Sequence, residues 1–234
     1  MNTVIIDFDT RIEEVNAYFG FLESLMEKKI KLLALDSNGE YKIQNFDSEL
    51  AKTLKANGFL LLYNLIESTM RNAIEAIIEE FRIQEVSFDK IKPQIKRTIL
   101  QNLKNCFKKE SADDLHLKFS QISLDIITAT FEREKIFSGN VDARVIKDTA
   151  KKYGFSDKTD GSITKDGKNL FVVKNNRNDL AHGTKSFEEV GREKTIEELL
   201  EIKQEVVEYL RQILKNIQSY LDDKEYLDSV TKNY

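Results

Sequence analysis

The 234 residues contain 36 Lys and Arg against 40 Asp and Glu, for a net charge of −4, and 41% of them are hydrophobic. This composition is typical of a folded protein and excludes a disordered chain, and no apolar run approaches the roughly 18 residues of a membrane span. Cys106 is the only cysteine, which excludes an intramolecular disulfide and a thiolate metal cluster. Because the N-terminus is acidic where a secretory signal is basic, we expect a cytoplasmic protein.

The first part of the chain predicts two helices. Residues 10–33 carry apolar side chains at helical spacing, and Thr10 with Glu13 has the spacing of a capping box. The preceding VIIDF reads as a short strand or an extended lead-in, and residues 36–39 read as a turn. Residues 47–81 then form a long, very apolar helix that Asp47 or Ser48 can cap, so we expect this helix at the centre of the fold.

The middle of the chain predicts several shorter helices. Residues 88–108 carry an apolar stripe, and Pro93 suits the first turn of a helix. Residues 111–136 read as one or two short helices, with Ser111 and Asp114 at capping spacing. Residues 141–153 are helical again and end at Gly154.

The last third combines a polar segment with two further helices. Residues 156–168 are rich in turn formers and predict a flexible loop or a short hairpin. Residues 169–182 read as a helix that Gly183 stops. After a loop, Thr195 and Glu198 form a capping box at the start of a helix over 195–222, whose apolar residues from Ile196 to Tyr220 recur on one face. The chain therefore predicts an all-α bundle with little or no β structure, organised as a single domain over residues 1–234.

The stretch RNDLAH, residues 177–182, combines side chains that suit phosphodiester chemistry. Arg177 offers a planar fork of donors for a phosphate, and the imidazole of His182 can move a proton near neutral pH. Asn178 and Asp179 lie four and three positions before His182, within its reach on a helix. RNA supplies its own nucleophile, the 2′-OH, so these groups could support its cleavage. The other histidine, His116, lies in a polar stretch that favours a solvated or capping role.

The residue types alone leave a second interpretation open. Arg177 and His182 are five positions apart, which is about 140° around an ideal helix. We therefore expect them to flank a cleft rather than to share one face. A polar helix end with a histidine favoured by the helix dipole would have the same composition.

A polar stripe interrupts the apolar helix between residues 58 and 78. It consists of Asn64, Glu67, Ser68, Arg71 and Glu75, spaced so that they share one face. Burying charge without partners is costly, so this stripe faces either water or a polar cleft, and the spacing alone does not choose between them.

Two segments are locally basic in this acidic chain. Residues 90–109 contain seven Lys and Arg and no acid, and residues 163–177 contain four against Asp166. They could follow a phosphate backbone, although a charged run is also typical of a solvated helix face. The candidate RNA-binding residues are Lys96, Arg97, Lys104 and Lys174.

The spacing of RNDLAH fits the R-x4-H motif of HEPN ribonucleases, and its setting strengthens the likeness. The sequences LLLYNLIESTMRNAIEAI, RNDLAHGTKSFEEVGR and TIEELLEIKQEVVEYLRQILKNI resemble a bacterial HEPN-like nuclease branch found in defence and toxin-type loci. The resemblance covers about residues 50–222.

The resemblance implies a HEPN helical bundle with inserted helices and a metal-independent endoribonuclease that leaves a 2′,3′-cyclic phosphate. Arg177 and His182 would correspond to the motif's Arg and His, with Asn178 as the polar residue after the Arg. Asp179, Asn64, Glu67, Ser68 and Arg71 would be accessory residues of the site. No metal or cofactor is implied, and the expected partners are RNA, a second copy of the chain and a cognate antitoxin or inhibitor.

Three interpretations follow. The chain is an endoribonuclease of toxin or anti-phage type, or a catalytically inactive HEPN-like module that binds RNA, a nucleotide or a protein. The third interpretation is an unrelated helical scaffold that matches a short motif by chance.

Overall fold

The computed structural model describes residues 1–27, 31–35, 38–44, 46–109, 122, 125–131, 136–137 and 139–228. This part of the chain is helical apart from one two-stranded hairpin and short turns, which confirms the predicted all-α fold class. Within it, no helix is both long and apolar enough to span a membrane. The helices are α1 Asn2–Met26, α2 Ser48–Ile83, α3 Pro93–Lys109, α4 Ile126–Ala129, α5 Ala143–Tyr153, α6 Gly161–Thr164, α7 Lys168–Ala181, α8 Phe187–Arg192 and α9 Ile196–Asp222; the strands are β1 Leu32–Leu35 and β2 Tyr41–Gln44.

Contacts between Cα atoms divide the chain into two compact units. Unit 1 comprises Met1–Ile5, Glu67–Thr159 and Leu210–Tyr234, and unit 2 comprises Ile6–Ile66 and Asp160–Tyr209. The divisions fall inside α1, α2 and α9, so each of these helices contributes residues to both units. Compact units of this kind do not establish how many domains the chain has, so the single-domain organisation stays a prediction.

An aromatic cluster forms part of the core of unit 1. The ring of Tyr226 lies 4.9 Å from that of Phe81 and 6.1 Å from that of Tyr220, between ring centroids. The hydroxyl of Tyr220 donates to the carbonyl oxygen of Tyr153 at 2.5 Å. Burial raises the pKa of Tyr153 to about 12. The end of α9 is thereby joined to α5 within this unit.

In unit 2, two side-chain hydrogen bonds join the middle of α1 to α2 and α9. The hydroxyl of Tyr18 donates to the carbonyl oxygen of Leu54 at 2.6 Å, and Lys203 donates to the side chain of Asn16 at 3.0 Å. The apolar residues predicted to share one face of α9 are all buried, in unit 2 as far as Val206 and in unit 1 from Leu210: Ile196, Leu199, Ile202, Val206, Leu210, Ile213, Ile217 and Tyr220. The 3.6-residue period therefore identified this buried face correctly.

The predicted start of the first helix was wrong. VIIDF is neither strand nor lead-in but part of α1, and Thr10 does not cap the helix, because its hydroxyl donates to the carbonyl oxygen of Ile6 at 2.9 Å inside it. Phe8 is 1% exposed and continues the buried stripe of Ile12 and Val15. The burial of Phe8 favours the helix, and threonine is accommodated in a helix by this bond to the preceding turn.

The predicted end of the first helix was also wrong. The helix ends at Met26, and β1 pairs with β2 in antiparallel register, with Leu33 opposite Ile43. Leu33, which was expected on the helical stripe, is 62% exposed. Gly39 takes the left-handed backbone conformation at φ 78° shortly before β2, a conformation that glycine adopts without steric cost.

Two segments predicted as loops contain short helices. Residues 156–168 do not form a hairpin: Asp160 caps α6 by accepting from the backbone N–H of Ser162 at 2.9 Å. The segment 184–194 contains α8, with a capping box between Ser186 and Glu189. Polar residues at these positions satisfy the first N–H groups of short helices, so polarity does not indicate an absence of helix there.

The other predicted helices lie close to their expected positions. Asp47 accepts from the backbone N–H of Glu49 at 3.0 Å before α2, and Pro93 is the first residue of α3. Residues 88–90, expected in α3, instead form a separate 3-10 turn before Pro93, since proline disfavours helical geometry in the residue before it. The capping box of Thr195 and Glu198 before α9 is confirmed. Most of 111–136, including Ser111, Asp114 and His116, lies outside the described residues.

Candidate active site

The RNDLAH stretch occupies the C-terminal end of α7 in unit 2. Gly183 follows at φ 67°, and its N–H donates to the carbonyl oxygen of Leu180 at 3.3 Å. The N–H of Thr184 donates to the carbonyl oxygen of Asp179 at 2.9 Å. These two bonds form a Schellman motif, as the predicted glycine stop requires. The motif places His182 at the C-cap, directly after the last helical residue Ala181, and its side chain is exposed.

The guanidinium of Arg177 is held by an aromatic ring and an amide. Its central carbon lies 4.3 Å from the centroid of the Tyr63 ring on α2, and one of its N–H groups donates to the side-chain oxygen of Asn178 at 2.8 Å. Tyr63 is only 3% exposed, whereas Arg177 is half-buried. The ring and the amide therefore restrict the plane of the guanidinium at the boundary of the core.

The backbone between Arg177 and His182 is close to an ideal helix. His182 has φ −94° and ψ −1°, and its N–H donates to the carbonyl oxygen of Asn178 at 3.0 Å. Five positions on a helix correspond to a rise of about 7.5 Å and a rotation of about 140°. A half-buried cation and an exposed imidazole thus lie at one helix end without sharing a face. Such a pair can act on a phosphodiester from two directions, with charge stabilisation from one side and proton transfer from the other.

An ion-pair cluster ties the chain after the motif back to α7. The ammonium of Lys185 lies 3.3 Å from the carboxylate of Asp179 and 2.6 Å from that of Glu193. Both carboxylates raise the pKa of Lys185, and the hydrogen bond to Glu193 has the larger effect. Asp179, a predicted accessory residue, is engaged here by Lys185, which secures the turn that follows His182.

The polar stripe of α2 is divided between the two units. In unit 2, Asn64 is exposed and its side-chain oxygen accepts from Arg11 at 3.2 Å. In unit 1, Arg71 forms an ion pair with Glu67 at 2.6 Å and donates to the carbonyl oxygen of Phe137 at 3.3 Å. The Glu67 and Arg71 side chains are 22% and 19% exposed, and Ser68 is half-buried. Much of the stripe therefore does not face open water, and its role as part of the RNDLAH site stays a prediction.

The predicted RNA-binding residues differ in their exposure. Lys174, on α7, is 9% exposed, and its ammonium lies 4.6 Å from the centroid of the Phe171 ring. On α3, in unit 1, Lys96 donates to the carbonyl oxygen of Asp89 at 2.7 Å. Arg97 and Lys104 are exposed. Burial limits the access of the Lys174 ammonium to a phosphate, and the contact of all four residues with RNA stays a prediction.

Tyr63 and Lys185 were not among the residues predicted for the site. Tyr63 lies directly before Asn64 in the run LLLYN. Because this run is mostly apolar, Tyr63 was counted with the core residues and not with the polar residues of the site. Lys185 lies in a segment expected to be a loop. Only the contact between α2 and α7 and the turn after α7 identify these two residues.

Among the residues that the structure describes, no three or more His, Cys, Asp and Glu side chains come together as a possible metal site.

A profile of the family described as MAE_28990-like HEPN matches residues 1–226. No curated protein and no solved structure matches the chain.

Proposed function

The chain belongs to the MAE_28990-like HEPN family, and on this basis we propose that it is a metal-independent endoribonuclease that uses Arg177 and His182. Membership in the HEPN superfamily, whose functions are nuclease-type and RNA-related, excludes the interpretation as an unrelated scaffold. The observation that carries the proposal is the pairing of a held Arg177 guanidinium with an exposed His182 at the same helix end.

The proposed reaction is an internal transesterification of RNA. The imidazole of His182 removes the proton of a 2′-OH, and the resulting oxygen attacks the adjacent phosphorus. As that bond forms, the bond from phosphorus to the 5′-oxygen breaks, and a proton is delivered to the leaving oxygen. The products are a 2′,3′-cyclic phosphate and a 5′-hydroxyl. Arg177 stabilises the charge that develops on the non-bridging phosphate oxygens.

The proposed reaction needs a proton donor as well as a proton acceptor. His182 is the one histidine of the RNDLAH stretch, and a second group is required to protonate the leaving oxygen. A two-fold homodimer supplies a second His182 and a second Arg177 to one cleft. We therefore include the homodimer in the proposal.

The biological setting of the activity follows from the resemblance to defence and toxin-type nucleases. We propose that the protein acts as a toxin or an anti-phage effector, and that a cognate antitoxin or inhibitor protein controls it. Its substrate in this proposal is RNA.

Cleavage in excess EDTA tests the activity. The purified protein is incubated with a mixed RNA panel, beside Arg177→Ala and His182→Ala. We expect cleavage that survives EDTA, and each variant should lower the rate by about 100-fold or more. Arg192→Ala is the matched control, since the side chain of Arg192 is 64% exposed and lies on α8 of the same unit. Circular dichroism checks that the variants remain folded.

The products and a modified substrate test the route. The cleaved RNA should end in a 2′,3′-cyclic phosphate, and a 2′-deoxynucleotide at the cleaved position should prevent cleavage there. Activity that EDTA abolishes would contradict the metal-independent reaction. RNA binding without cleavage over the whole panel would instead support the alternative function, a catalytically inactive HEPN-like module.

A further inference from the structure

An exposed aromatic ring lies on the same helix as the proposed catalytic pair. Phe171 is 52% exposed and belongs to α7, which carries Arg177 and is capped by His182. At about 100° per residue, Phe171 and His182 differ by only about 20° around the helix axis. The rise of about 1.5 Å per residue separates them by about 16 Å along it. The ring therefore lies on the face of α7 that carries His182.

A buried lysine holds this ring from one side. The ammonium of Lys174 lies 4.6 Å from the Phe171 centroid, and Lys174 is only 9% exposed. A cation over an aromatic ring is attracted by the electrons of the ring face, so the contact restricts the orientation of the ring. More than half of the surface of Phe171 nevertheless remains open to a ligand.

The neighbours of Phe171 on this face of α7 are polar. Asn175 and Asn178 lie about one and two turns further along the helix, within about 40° of Phe171 around the axis, and both are half-buried. A protein-docking surface is typically a contiguous apolar patch. An exposed aromatic ring beside amide groups is instead typical of sites that stack a nucleobase and bind its polar edge.

We propose that Phe171 is a stacking site for an unpaired base of the RNA substrate, so that the protein selects single-stranded RNA. This inference rests on the proposed RNA-cleaving function. The 16 Å from Phe171 to His182 correspond to about five stacked nucleotides at about 3.4 Å each, and to fewer in an extended strand. A duplex cannot use this site, because its bases are stacked on one another and their faces are closed.

Binding to a non-cleaving protein tests the stacking site. The parent is the full chain with His182→Ala, and the probe is a short fluorescent single-stranded RNA of mixed sequence, compared with its duplex. The substitution Phe171→Ala, Phe171→Leu or Phe171→Tyr is introduced into this parent, and the RNA affinity of each resulting variant is measured by fluorescence anisotropy. Phe21→Ala is the matched control, because Phe21 is similarly exposed, at 46%, on α1.

We expect Phe171→Ala and Phe171→Leu to weaken single-strand binding by about 10-fold, and Phe171→Tyr to keep it within about twofold. Duplex binding and the Phe21→Ala control should not change. The inference would be overturned if Phe171→Ala bound the single strand like the parent, if the parent bound no RNA, or if both RNA forms lost affinity equally. A changed oligomeric state with unchanged RNA binding would also overturn it and would make Phe171 a protein contact.

This experiment separates the inference from the proposed activity. If the wild-type protein cleaves no RNA but Phe171→Ala still weakens single-strand binding, the stacking site stands and the nuclease proposal fails. If the wild-type protein cleaves RNA and Phe171→Ala changes neither binding nor KM, only the stacking site is contradicted.

Discussion

The Arg177 guanidinium is oriented before any substrate arrives. The ring of Tyr63 lies against its face at 4.3 Å, and Asn178 accepts one of its N–H groups at 2.8 Å. A preorganised cation stabilises developing charge without having to reorient during the reaction. We infer that Tyr63 is a positioning residue for the proposed cleavage, acting through Arg177 and not on the RNA itself.

Substitution of Tyr63 tests this role. Tyr63→Phe keeps the ring under the guanidinium, whereas Tyr63→Leu removes the aromatic face. Because a cation–π contact contributes about 0.5–2 kcal/mol, we expect Tyr63→Leu to lower kcat by about 2- to 30-fold and to change KM little. The measurement is steady-state cleavage at a temperature where all variants are folded.

Tyr63→Phe is the matched control for the aromatic face. It should keep most of the wild-type kcat, since the ring remains in place. Equal activity of Tyr63→Phe and Tyr63→Leu would contradict the positioning role, and so would an effect confined to KM.

The sequence predicts the local part of the candidate site and not its long-range part. The spacing of RNDLAH anticipates the helix end and the glycine stop, because both depend on residues a few positions apart. The side-chain oxygen of Asn178 accepts from Arg177, and its predicted contact with His182 stays a prediction. The aromatic ring that contacts Arg177 belongs to Tyr63 on another helix. The periodicity of one helix does not indicate which side chains of a second helix pack against it. The same limit applies to the ion pair between Lys185 and Glu193.

At the scale of elements, the long helices were predicted more accurately than the short ones. The apolar face of α9 spans many turns, so its period is unambiguous, whereas β1 and α8 are too short to establish one. VIIDF fits a strand and a helix equally well until the burial of Phe8 decides between them. Short elements depend on tertiary packing, which the local sequence does not determine. They also depend on caps, and the capping residues Ser186 and Glu189 of α8 lie in a segment that was predicted as a loop.

The approach of α8 to α2 in unit 2 gives a prediction about stability. A Cβ added at Gly191 would lie 1.9 Å from the carbonyl oxygen of Lys52. Since backbone cannot yield as a flexible side chain does, Gly191→Ala must displace α8. We expect a loss of about 2 kcal/mol in the free energy of unfolding, measured by urea denaturation monitored by circular dichroism.

Gly20 offers the matched control for this substitution. It lies inside α1, and a Cβ there would meet nothing within 4 Å. Gly20→Ala should raise the free energy of unfolding by about 0.5–1 kcal/mol, because alanine loses less conformational entropy than glycine in a helix. A Gly191→Ala protein as stable as the wild type would show that α8 does not approach α2 this closely.

At the scale of the whole molecule, the proposed reaction depends on two copies of the chain acting together. One chain offers one His182, and the proposed reaction uses a base and an acid. If both are His182 side chains of a two-fold dimer, a dimer with one His182→Ala subunit is inactive. The proportion of intact dimers then sets the activity of a mixed population.

The most direct test is therefore to mix wild-type and His182→Ala chains, let the subunits exchange, and measure RNA cleavage in excess EDTA. The account predicts that activity follows the square of the wild-type fraction, so an equal mixture keeps about a quarter of the activity of wild type at the same total concentration. A mixture with Arg192→Ala should keep all of it. Retention of about half the activity would contradict the paired site, and full activity of pure His182→Ala would contradict the role of His182 altogether.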